Sequence, residues 1–151
     1  MADAVYLGNP NLKKTNTAIN FTKKQVAEFI KCKDDPVYFT RNYIKIVSLD
    51  EGLVPFKMWD FQEQLIENFH KERFNIAKLP RQTGKSTTVV SYLLHYALFN
   101  DNVKIAILAN KAETARELLS RLQLAYENIP KWMQMGIVAW NRGSMELENG
   151  S

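Results

Sequence analysis

The sequence predicts an α/β fold: a parallel sheet covered by helices, incomplete at its C-terminal end and preceded by a small helical segment. Three observations predict it. Two apolar runs of strand length, "RFNIAKL" from Arg73 and "VKIAILAN" from Val103, each lead into a strong helical pattern, giving the order strand, loop, helix, strand, helix. Strands that alternate with helices run parallel, because parallel neighbours need a crossover connection. Hydrophobic residues make up 46% and charged residues 24% of 151 positions, a composition able to bury a core and far from the signature of disorder.

Residues 1–20 are polar and carry Gly8, Pro10 and several asparagines, which reads as a flexible arm. Residues 21–55 read as a helical N-terminal subdomain. Thr22 with Gln25 three positions on forms a capping box, and Val26, Phe29 and Ile30 follow at helical spacing. Asp35 and Pro36 then supply a cap and a first-turn proline for a second helix. Ser48 to Lys57, with Gly52 and Pro55, reads as a loop or short hairpin.

From residue 56 to 151 the pattern is that of the α/β domain. A helix is expected from Trp59 to about His70, a buried strand over 73–79, a helix from about Lys85 to Phe99, a second buried strand from Val103, and a helix from Lys111 that stops before Pro130. The last segment reads as a strand, a turn at Asn141 to Gly143, and a strand over 144–148. Asn149-Gly150 is a hairpin signal that calls for a further, returning strand.

Cys32 is the single cysteine, so no internal disulfide can form, and with only His70 and His95 no Cys/His metal spacing can be assembled. A reducing, intracellular setting is therefore expected. No apolar segment is long enough to cross a bilayer, and the N-terminus has no secretory pattern. The net charge of +4 fits contact with nucleic acid or nucleotide without requiring it. Lys13, Lys14, Lys23 and Lys24 read as a solvated basic patch, with DNA or partner contact as the alternative. Trp132, Met133, Met135 and Trp140 read as packing residues.

Chemistry concentrates in "LPRQTGKSTT", Leu79 to Thr88. Between a strand and a helix, free backbone N–H groups and the positive end of the helix dipole converge on a bound phosphate. Gly84 would let the backbone approach the phosphates, Lys85 would reach their β and γ oxygens, and the Ser86 hydroxyl would ligate the bridging Mg²⁺. The usual phosphate-loop pattern opens with glycine, where this chain has Leu79. A solvated helix cap is the plain alternative. Within the loop, Arg81 could neutralise charge on a transferred phosphoryl group, and upstream Gln62 could hydrogen-bond an adenine edge.

These residues carry a resemblance. "CKDDPVYFTRNYIKIVSLDEGLVPFKMWDFQEQLI", "RFNIAKLPRQTGKSTTVVSYLL" and the chain from Ile105 onward closely resemble the large terminase subunit of myovirus-type tailed bacteriophages. The resemblance implies a RecA-like P-loop ATPase domain that threads double-stranded viral DNA into a capsid, with a nuclease domain further along. It implies ATP and Mg²⁺ as cofactors. The implied partners are the capsid portal and the small terminase subunit, with a ring homo-oligomer on the portal, no membrane partner, and a host cytoplasmic setting. It places the adenine glutamine on Gln62 and a variant phosphate loop on Pro80, Arg81, Gln82, Thr83, Gly84, Lys85 and Ser86, with Arg81 and Lys85 as the catalytic residues. That family also needs an apolar strand ending in Asp-Glu, and the only such pair here, Asp50-Glu51, sits upstream in a loop. The expectation is a portion of a longer motor. A helicase or restriction translocase of the same class, and a non-catalytic partner-binding module, are the alternatives.

Overall fold

The computed structural model describes residues 5–48 and 50–151. The first four residues of the expected arm, and Leu49 in the expected loop, lie outside the described residues.

The helices fall where the sequence puts them. Helix α1 (Lys23–Asp34) opens with the reciprocal capping box: Gln25 N donates to Thr22 Oγ1 at 3.2 Å and Thr22 N donates to Gln25 Oε1 at 2.9 Å. Asp35 caps α2 (Pro36–Tyr43), its Oδ1 accepting the Tyr38 amide at 2.8 Å, with Pro36 in the first turn, where its missing N–H costs nothing. Glu28 on α1 accepts from both Tyr38 and Tyr43 hydroxyls at 2.8 Å, which fastens the two helices together. Helices α3 (Asp60–Lys71), α4 (Lys85–Phe99) and α5 (Ala112–Asn128) complete the set.

The strands differ from expectation. They form three separate two-stranded antiparallel sheets: β1 (Val5–Tyr6) with β2 (Asn9–Lys13), β3 (Lys45–Ser48) with β4 (Gly52–Pro55), and β5 (Ile137–Trp140) with β6 (Met145–Leu147). The second and third are the hairpins predicted around Gly52 and Asn141. No parallel, RecA-like sheet is present among the described residues. The two segments assigned to its strands, 73–79 and 103–110, form no ladder. An apolar run becomes a strand only when a neighbour satisfies its backbone and covers its side chains. Here Phe74 is 83% exposed, Ile76 100% and Leu108 86%, so neither condition is met. The α/β prediction is thus corrected: the molecule is helical at its centre, with hairpins around it.

That centre is α4. Val90, Leu94, Ala97, Leu98 and Phe99 pack against Cys32 of α1, Phe39 of α2, and Leu122, Ala125 and Tyr126 of α5. Phe39, Phe99, His95 and Phe29 meet edge-on or tilted, with ring centroids 4.9 to 5.6 Å apart. Met133 is buried, and Trp132, Met135 and Trp140 lie partly buried against the core, as the packing reading has it.

The N-terminal segment forms the β1–β2 hairpin where an arm is expected, and its Leu12 is buried. Lys13 departs from the solvated-patch reading. It is 8% exposed, its Nζ donates to the Gln134 carbonyl at 3.2 Å, and it lies 3.6 Å from Glu148. Gln134, itself buried, accepts the Lys13 amide and donates to the carbonyls of Asn11, Tyr126 and Ile129. A cationic side chain this deep requires such partners, and the segments after α5 and β6 supply them in Gln134 and Glu148.

Candidate functional site

Helix α3 is held from two sides. Arg41 of α2 makes a two-pronged contact to Glu63, with Nε 2.6 Å from Oε1, and the Tyr92 hydroxyl of α4 donates to the Phe69 carbonyl at 3.0 Å. Ile66 is fully buried beneath them. This fixes the first turn of α3, where Gln62 sits at the third helical position.

Gln62 joins α3 to the loop before α4. Its Oε1 accepts the Trp59 amide at 3.0 Å, one half of a capping box, and its Nε2 donates to the Thr83 carbonyl at 3.1 Å. The residue is 3% exposed. Trp59 and Phe61 flank it as exposed aromatics, their ring centroids 5.7 Å apart.

The loop turns sharply. Gln82 and Gly84 both take positive φ, 62° and 71°, and Gly84 is the residue from which α4 starts. A side chain at position 84 would place its Cβ 2.6 Å from Gln62 Nε2, so any other residue would pay for the left-handed backbone and push the Gln62 amide aside. Thr83 Oγ1 donates to the Pro80 carbonyl and Thr88 Oγ1 to the Gly84 carbonyl, each at 3.1 Å. Lys85 curls back so that Nζ donates to the Leu79 carbonyl at 3.2 Å. No side chain among the described residues caps α4, so its first-turn amides are open to an acceptor from outside.

The predicted site residues therefore divide. Pro80 to Ser86, with Gln62, come together around the start of α4; Arg81 and Gln82 are exposed, and Lys85 and Ser86 half-buried. The Asp50-Glu51 pair lies in the turn between β3 and β4. His70 is exposed and His95 is buried in the core. Among the described residues no three His, Cys, Asp or Glu side chains gather as a metal site. A cavity of about 400 Å³ between α4, α5 and β6 is lined by Val103, Ile105, Leu119 and Met145 and includes no predicted site residue. Sequence reasoning missed the carbonyls of Thr83 and Leu79. Backbone acceptors leave no letter in a sequence.

Residues 76–151, which carry the whole loop and α4, match the model of the family described as terminase large subunit, T4likevirus-type, N-terminal. The chain belongs to that family. Terminase membership supports a role in phage DNA packaging, and it agrees with the resemblance carried by the loop and its flanks. Within this terminase chain, no described helix is long and apolar enough to cross a membrane.

Proposed function

We propose that this chain is the ATP-binding N-terminal part of a terminase large subunit, working in the motor that drives double-stranded viral DNA into the capsid. One observation carries the proposal: within the matched family segment, a left-handed Gly84 turn opens the 15-residue helix α4 with no side-chain cap. Its partners in that role would be the DNA, the capsid portal and the small terminase subunit.

The residues fit a Mg²⁺-bound triphosphate. Open amides at the start of α4 favour anionic oxygens, and the helix dipole adds to them. Lys85 rests on a neutral acceptor, the Leu79 carbonyl, and would exchange it for phosphate oxygens. The ammonium makes a charge-assisted hydrogen bond in either place, but anionic oxygens add a charge–charge attraction that a carbonyl dipole lacks, so the exchange runs toward the ligand. Ser86 Oγ would ligate Mg²⁺, and exposed Arg81 would stand over the terminal phosphoryl group. Bound ATP supplies the phosphoryl group whose hydrolysis powers movement.

Lys85→Ala is expected to weaken Mg²⁺·ATP binding roughly 10- to 100-fold, the loss of one charge-assisted contact. Isothermal titration calorimetry of the parent chain and the variant reads the change directly. Equal affinity of the variant and the parent chain would rule out the proposal.

A further inference from the structure

We infer that Gln62 is a positioning residue for the phosphate loop, setting the Thr83-Gly84 turn so that the loop can receive the phosphates of any nucleoside triphosphate. This rests on the triphosphate reading above and goes beyond it. Both heteroatoms of the amide are engaged inside the protein, the oxygen with the Trp59 amide at 3.0 Å and the nitrogen with the Thr83 carbonyl at 3.1 Å. With 3% of the residue exposed, the amide presents no edge to a base in solvent.

The geometry works on the loop itself. Thr83 precedes the left-handed Gly84, and orienting the Thr83 carbonyl fixes the peptide whose N–H belongs to Gly84. The missing Cβ of Gly84 is what lets Nε2 come so close, since an added one would stand 2.6 Å from it. One glycine thus serves both the turn and the glutamine. The other end of the link is stiff: Glu63, next in sequence, is clamped by Arg41, so α3 carries Gln62 as a fixed bracket. Positioning of this kind acts on phosphate affinity equally for every base.

The test titrates the full chain with Mg²⁺·tripolyphosphate, Mg²⁺·ATP and Mg²⁺·GTP. Gln62→Met keeps the volume and removes both hydrogen bonds. It is expected to weaken all three ligands by a common factor of about tenfold, the loss of one buried hydrogen bond expressed as affinity. Gln62→Glu adds a readout that packing alone would not move. As a carboxylate it faces the Thr83 carbonyl without a proton to donate, whereas the protonated acid donates as the amide does. Its tripolyphosphate affinity relative to the parent chain should therefore rise as pH falls, exceeding that of Gln62→Met at pH 5. Circular dichroism confirms that each variant is folded, and if one is not, the other carries the test. Loss of ATP affinity alone, with tripolyphosphate unchanged, would overturn the inference in favour of adenine recognition. Parent-level binding of tripolyphosphate by Gln62→Met would overturn it as well. Failure of the parent chain to bind any of the three ligands would overturn the triphosphate reading itself, a different and recognisable pattern.

Discussion

At Gly84 the backbone takes φ 71° directly against the buried amide of Gln62. Replacing it by alanine forces an L-residue into the left-handed region, at about 1–2 kcal/mol, and displaces the Gln62 side chain. In a chain of this size that cost lowers Tm by roughly 3–8 °C, which a thermal melt by circular dichroism would register. A shift below 1 °C would show that the loop relaxes freely and is not braced. The Gly-Lys-Ser run stands out in the sequence because each residue type suits a separate task in phosphate binding. The contacts that aim it do not, since Lys85 and Gln62 bind carbonyls of Leu79 and Thr83, and any residue could have stood at those positions. Lys13 failed to read correctly for a related reason: its partners Gln134 and Glu148 lie more than a hundred residues away in sequence.

Helix boundaries were legible because capping is local. The Thr22–Gln25 and Asp35–Tyr38 contacts span three residues each, so the sequence holds the whole interaction. Strands are different, because a strand is a relation between two segments. Residues 73–79 and 103–110 have the apolar content of strands, yet no described segment pairs with either. Helix α4 brings its own prediction through His95. That ring is buried, its Nε2 is 2.9 Å from the Cys32 carbonyl, and its Nδ1 has no partner among the described residues. Burial is the main cause that pushes its pKa from the ordinary 6.5 down to about 4, with exposed His70 nearby adding to the effect and the Cys32 carbonyl opposing it. Between those values the unfolded chain binds a proton that the folded chain refuses, so stability declines as pH falls from about 6.5 to about 4. Unfolding free energies from urea denaturation at pH 7 and pH 5 should differ by about 2 kcal/mol in the parent chain from this group. His95→Leu should lose that share of the difference, and an unchanged pH dependence would place the sensitivity elsewhere.

Across the whole molecule, Gln134 makes the most connected of the ties between the beginning of the chain and its later part. Gln134 is 2% exposed and bonds Lys13, Asn11, Tyr126 and Ile129, joining the N-terminal hairpin to the end of α5. Gln134→Leu would orphan several of these groups at once and is expected to cost about 3 kcal/mol, measured by urea denaturation. A loss under 0.5 kcal/mol would mean that the hairpin is dispensable. Asn149 and Ser151 make a second tie, with Asn149 Nδ2 donating to the Ala97 carbonyl at 2.8 Å and Ser151 Oγ to that of Asn100 at 2.8 Å. Every such tie reaches the C-terminal side of the phosphate loop, through α4 or α5. Upstream of the loop, residues 73–79 add no ladder bond among the described residues. The cheapest local opening of the molecule therefore starts at the loop's upstream arm, where no cooperative unit must break first. What halts it is Gln62 on α3 and Lys85 on Leu79, and a ligand that draws Lys85 away leaves the glutamine as the last latch on that door.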